Sequence, residues 1–172
     1  ENDCEGWSAI YGNAVKEVSH NNNTNFINSG TGSLEVSVVM DNTHTEGEAG
    51  KVFAPLVIDL RAQIIHIYLY LPEKSKGDTS NPARANGIQF FLKDNNGGAY
   101  YCGYKSIGSS VPTDVWFDLT VDTRNKESWY QNNDPDLSSI SQMGIQIKRE
   151  AQSEFNGNFV FYIDDFGLEN TE

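Results

Sequence analysis

The sequence predicts an all-β sandwich of two antiparallel sheets, and three observations carry that prediction. Short apolar runs recur along all 172 residues, each bounded by Gly, Asn, Pro or Ser. No run keeps a helical period for as long as about three turns, so a helix would have no continuous stripe to bury. Aromatic residues make up 12% of the chain, and glycine and asparagine are frequent, a profile that suits strands and tight turns. At this length a single domain spanning 1–172 can bury its own core.

In chain order the strand candidates are AVKEVSH, GSLEVSVVM, KVFAPLVIDL, IIHIYLYLP, GIQFFLKD, AYYCGYKSI, VWFDLTVDT, MGIQIKRE and FVFYIDDFGL. Each is an alternating or continuous apolar run of strand length. KDNNGGAYY is the clearest hairpin, since Asn and Gly accept the positive φ of a tight turn. DPDLSSI hints at one helical turn before MGIQIKRE. DNTHTEGEAG, PEKSKGDTSNPARANG and DTRNKESWYQNNDPD read as polar loops longer than a minimal turn needs, and loops on a rigid sandwich commonly carry function.

The last run sets a puzzle. In a regular strand Tyr162, Asp164, Phe166 and Leu168 share one face, and Phe161, Ile163 and Asp165 share the other. Whichever face is inward, one aspartate points at the core, which costs several kcal/mol unless a cation or a set of donors meets it.

The net charge of −12 disfavours nucleic acid and anionic polymers, leaving neutral ligands and metal cations as the natural partners. No apolar run reaches about 18 residues, so no membrane span is expected. No signal peptide opens the chain, and the abrupt start at ENDCEGW suggests a mature or excised module. Cys4 and Cys102 allow one disulfide or two separate thiols.

Four strand candidates pair an aliphatic face with a mixed one. Ile65, Ile67 and Leu69 alternate with His66, Tyr68 and Tyr70, and Ile88, Phe90 and Leu92 alternate with Gln89, Phe91 and Lys93. Ile145 and Ile147 alternate with Gln146 and Lys148, and Phe117, Leu119 and Val121 with Trp116, Asp118, Thr120 and Asp122. Rings beside amides and ammonium groups suit a sugar, whose C–H faces stack while its hydroxyls hydrogen-bond. The competing reading covers Tyr68, Tyr70 and Phe91 with a loop or pairs them across strands. Trp7 reads as a structural plug. Trp116 fits exposure or an edge position equally, and Trp129 fits either a ligand contact or a loop anchor.

Taken in order, GW, SGTGSLEV, YLYLP, IQFFLKD, WFDLTVD, MGIQIK and FYIDDFGL resemble the calcium-stabilised jelly-roll carbohydrate-binding modules attached to bacterial glycoside hydrolases, across essentially the whole chain. The resemblance implies a concave polysaccharide-binding face bearing Gln89, Phe91, Lys93, Gln146 and Lys148, with His66, Tyr68 and Tyr70. Tyr101, Trp116 and Trp129 join the candidates. In AYYCGYK two parities stay open, Tyr101 with Gly103 or Tyr100 with Cys102 and Tyr104. The resemblance also implies a structural calcium held by Asp164 with Glu1 or Asp3 and carbonyls or side chains within SHNNNTN, which would answer the puzzle of the inward carboxylate. The expected protein is a secreted, monomeric binding module within a larger glycoside hydrolase, taking a neutral β-linked glycan such as mannan, β-glucan or xylan.

Two other readings compete. A polysaccharide lyase could draw a base and acid from His66 and Tyr68, with Gln89 and Lys93 on a uronate. A calcium-stabilised adhesin or interaction domain would keep the fold and bind no glycan. A glycosidase needs two carboxylates about 5 to 10 Å apart across the bond. The chosen face has only Asp118 and Asp122, on one strand, so no catalytic residue is expected.

Overall fold

Alternation of aliphatic and polar residues becomes a two-layer structure in the computed structural model, which describes residues 4–53, 55–77, 84–151, 153 and 155–170. Among these, eleven strands occur: β1 Trp7–Gly12, β2 Val15–Asn21, β3 Ser33–Met40, β4 Glu46–Val52, β5 Gln63–Tyr70, β6 Gly87–Asp94, β7 Ala99–Ser106, β8 Trp116–Asp122, β9 Tyr130–Asn132, β10 Ile140–Lys148 and β11 Gly157–Asn170. The first sheet runs β1-β4-β10-β6-β7-β9 and the second β2-β3-β11-β5-β8, with all neighbours antiparallel.

The aliphatic parity of each strand faces the space between the sheets. Ile88, Phe90, Leu92, Met143, Ile145 and Ile147 come from the first sheet, and Val36, Ile65, Ile67, Leu69, Phe159 and Phe161 from the second, all buried in one cluster. Each such side chain contributes about 1.5–3 kcal/mol on leaving water. Tyr100 and Cys102 also face inward, and both cysteines are free thiols; burial pushes that of Cys102 well up. The β6–β7 hairpin turns as expected, with Asp94 accepting main-chain hydrogen bonds from Asn96 at 2.8 Å and Gly98 at 2.7 Å. The expected helical turn is the 3₁₀ segment Leu137–Ser139, capped by Asp136.

Three expectations need correcting. KVFAPLVIDL is not a strand beyond Val52: its Ile58 makes only an isolated bridge to Ile140, and Leu56 and Val57 are exposed. The strand lies just before it, in EGEAGKV, within a segment read as loop. Small residues suit β4 to its place: a Cβ on Gly144 of β10 would come within 2.2 Å of the Ala49 oxygen, so the two backbones meet as only glycine allows. Likewise β9 lies inside the supposed loop DTRNKESWYQNNDPD, pairing Tyr130 with Tyr101.

The third correction concerns β11. Its register against β5 slips between Asp164 and Gly167, so one residue is extra, and Asp165 sits at φ +48°. This bulge takes Asp165 off the inward face that Phe159, Phe161 and Ile163 occupy. Neither aspartate points into the core.

Candidate functional site

The outer side of the first sheet holds an open cleft of about 440 Å³, built across all six of its strands. Register brings its floor together: Glu48 of β4 lies beside Gln146 of β10, which lies beside Gln89 of β6. Gln89 Nε2 donates to Gln146 Oε1 at 2.5 Å, and Gln146 Nε2 donates to Glu48 Oε1 at 3.1 Å. Glu48 is fully buried and is met by the ammonium of Lys93 and by the Tyr101 hydroxyl at 3.5 Å. At the cleft's end Lys148 Nζ stands 3.6 Å from Glu46 Oε2.

Tyrosines supply the walls. Tyr11 and Tyr130 are 56% and 68% exposed, so their ring faces are open to a ligand. The rings of Tyr101 and Tyr130 stand 6.1 Å apart, and Lys93 Nζ lies 5.3 Å from the Tyr11 ring centre. Tyr104 covers the backbone of Gly87, where a Cβ would meet its ring at 1.8 Å. Burial, helped by the charges of Glu48 for Tyr101 and Glu150 for Tyr104, pushes both phenols up to about 12, so they remain neutral hydroxyls. The parity left open in AYYCGYK resolves through a bulge opposite Ile88 and Phe90, which lets Tyr101 and Tyr104 both line the cleft.

The structure divides the expected site residues between two sheets. Gln89, Lys93, Tyr101, Gln146 and Lys148 line the cleft, joined by Tyr104, whose parity was left open, and by Tyr11, Glu46, Tyr130 and Asn132, which the sequence alone did not point to. Phe91 shares their side of β6 but is fully buried, under Lys93 and against Gly50, so it underlies the floor. Trp129 is the loop anchor, packed edge-on against Tyr100 at 5.4 Å. Glu46 lines the cleft and Glu48 lies buried below it, which corrects the expectation of a face without glutamate.

His66, Tyr68, Tyr70 and Trp116 belong to the outer side of the second sheet, because β5 and β8 pair there. Tyr70 meets Trp116 at 5.8 Å and Tyr162 at 6.2 Å, while Phe26 from the β2–β3 loop stacks on Tyr162 at 4.3 Å. These are cross-strand pairs covered by a loop. His66 Nδ1 lies 2.8 Å from Asp118, whose hydrogen bond raises the imidazole's pKa above its ordinary value. A raised pKa makes this contribution full below about pH 6.5 and lost as pH rises through the folded value. For a surface pair it is worth at most about 1 kcal/mol. The melting temperature is expected to fall by no more than about 4 °C between pH 6 and 8, and His66→Gln to flatten that slope in a pH series of thermal melts.

The carboxylates of Asp164 and Asp165 fasten the β2–β3 loop to the bulge. Asp164 Oδ2 accepts from the amides of Asn28 at 2.7 Å and Ser29 at 3.2 Å, and Oδ1 accepts from the Asp165 amide at 2.9 Å. Asn28 Nδ2 donates to Asp165 at 2.7 Å, and the Ser29 hydroxyl donates to its other oxygen. Burial raises the Asp164 carboxyl, and its amide bonds oppose that rise. Glu1 and Asp3 lie outside the described residues. Among those described, no group of three or more His, Cys, Asp or Glu could hold a metal ion. Calcium asks for about six to eight oxygen ligands, so Asp164 would need further oxygen donors beside it.

With this geometry in view, the solved structures that resemble the chain are informative. The CBM22-1 xylan-binding domain of Paenibacillus barcinonensis Xyn10C matches with a TM-score of 0.52 at 16% identity, over 100% of this chain and 91% of that one. A non-crystalline cellulose-specific module, CBM28, matches with a TM-score of 0.51 at 12% identity, over 96% of this chain and 87% of that one. This chain has the fold of such modules. The CBM22-1 and GH10 modules of the Clostridium thermocellum xylanase 10B, solved with xylohexaose, match with a TM-score of 0.57 at 11% identity, over 99% of this chain. The match spans only 27% of that protein, so this fold is one part of a longer enzyme there. No family model and no curated protein matches the sequence.

Proposed function

We propose that the cleft of the first sheet binds a neutral β-linked polysaccharide, such as xylan, mannan or β-glucan, without cleaving it. The observation that carries this is the arrangement of four tyrosines around a floor of amides and paired charges. Rings of this kind stack on the C–H faces of a sugar while Gln89, Gln146 and Lys93 bond its hydroxyls. The likeness to modules named for xylan and cellulose binding supports the same reading.

Hydrolysis fails on placement. Glu46 and Glu48 are two residues apart on one strand, and each is committed to a lysine, so they cannot flank a glycosidic bond. The lyase reading fails because His66 and Tyr68 stand on the opposite sheet from Gln89 and Lys93. The work of such a module is to raise the effective concentration of a glycoside hydrolase, joined in the same secreted polypeptide, on its polymer. Affinity electrophoresis in gels of xylan, glucomannan, galactomannan or hydroxyethylcellulose tests this. Retardation of the native chain, lost in Gln146→Ala, is the expected result, and retardation by none of them would favour an interaction domain.

Calcium enters the proposal through Glu1 or Asp3 and oxygens of SHNNNTN joining Asp164, and it has a separate test. Asp164→Ala in the presence of a chelator is expected to cost about 1–3 kcal/mol, because it leaves the loop's amides without their acceptor. A rise in melting temperature on adding calcium, absent in that variant, would establish the ion. An unmoved temperature would leave Asp164 as an amide anchor.

A further inference from the structure

We propose that Glu46 and Glu48 act as a charge filter: by cancelling Lys148 from the cleft wall and Lys93 from beneath, they make the cleft reject polyuronates and accept uncharged chains. The inference rests on the reading of the cleft as a glycan site and goes beyond it to residues that need not touch the ligand.

Among the cleft-lining residues the charged ones are Glu46, Lys93 and Lys148, with Glu48 buried directly below. Each lysine is paired with a glutamate of β4, by contact for Lys93 and at 3.6 Å for Lys148. The site is therefore locally neutral. Without the two glutamates it would present two ammonium groups among tyrosine hydroxyls and amides, an arrangement that suits the carboxylates of a polyuronate. The overall charge of −12 opposes such polymers at long range, yet at physiological salt that field is screened over about 8 Å. Discrimination therefore falls to charges within the cleft.

Glu48 does a second thing. Because it accepts from Gln146 Nε2, the Gln146 oxygen must turn to Gln89, and the Gln89 oxygen is then left as the outward acceptor. Glu48 is in this sense a positioning residue, fixing which end of each amide a sugar hydroxyl meets.

The test compares the native chain with Glu48→Gln, Glu46→Gln and the charge-restored double variant Glu48→Gln/Lys93→Gln. Affinity electrophoresis is run at about 0.15 M salt in gels of neutral xylan or glucomannan and of polygalacturonate or alginate, each mobility taken relative to a polymer-free gel. Glu48→Gln is expected to lose at least tenfold in affinity for the neutral polymer and to become retarded by polyuronate. Glu46→Gln, at the more exposed pair, is expected to gain polyuronate retardation with an undisturbed floor, so the filter is testable even if Glu48→Gln folds poorly. The double variant is expected to show no polyuronate retardation. Native binding to a neutral polymer, with neither single variant gaining polyuronate binding, would overturn the filter and leave the glycan site standing. Polyuronate retardation of the native chain would also overturn it. Absence of any neutral-polymer binding by the native chain would instead overturn the underlying glycan reading.

Discussion

Lys93→Met is expected to destabilise the protein by about 3–5 kcal/mol, because it leaves the Glu48 carboxylate buried without a cation. Gln146 and Tyr101 would still donate to that carboxylate, but at 3.1 and 3.5 Å they cannot replace an ammonium in contact. For a chain of 172 residues such a loss lowers the melting temperature by about 6–20 °C. Adding Glu48→Leu to the same chain should recover most of it, since a pair replaced together leaves no orphaned charge. Urea unfolding of the two single variants and the double variant measures the coupling. A loss below about 1 kcal/mol in Lys93→Met would show that Glu48 has no need of the lysine, and the charge pairing at the floor of the cleft would be wrong.

Tyr130→Ala is expected to weaken binding to the neutral polymer by about 5- to 150-fold, the range of about 1–3 kcal/mol that a well-placed aromatic contact supplies. Tyr130 is 68% exposed, with its ring 6.1 Å from that of Tyr101, so stability should move by no more than about 0.5 kcal/mol. Tyr70→Ala should do the reverse. It removes the centre of the Phe26, Trp116 and Tyr162 cluster and is expected to cost about 2–3 kcal/mol of stability, with glycan retardation unchanged. Paired melting and affinity-gel measurements on the two variants separate the faces. Loss of glycan binding in Tyr70→Ala alone would move the site to the second sheet.

This division shows which parts of the fold a sequence carries. Period-two alternation read the inward parity of β5, β6, β8 and β10 correctly, because Ile, Leu and Val on one side of a strand leave no other place to go. Alternation does not say which sheet a strand joins. The polar sides of IIHIYLYLP and GIQFFLKD look alike, yet β5 and β6 belong to opposite layers, and only long-range pairing separates His66 and Tyr70 from Gln89 and Lys93. β4 was illegible for a different reason. EGEAG has no apolar alternation, and its strand character comes from the close approach of β10 at Gly144. The cleft's central carboxylate was hidden with it. Asp165 escaped the core because a one-residue bulge breaks the very period by which one of the two aspartates was bound to face inward.

The place of β11 bears on how the chain acquires its structure in time. This last strand of the sequence is also the middle of the second sheet, hydrogen-bonded to β3 on one side and β5 on the other. During synthesis, β2 with β3 and β5 with β8 can form as pairs, but no strand hydrogen-bonds one pair to the other until β11 emerges. Until then both present bare apolar strand edges, the kind that join other chains. Closure also links residues far apart in sequence, with Gly157 set against Met40. A sandwich wired this way completes late and slowly, and is most exposed to aggregation just before its final fourteen-residue strand arrives.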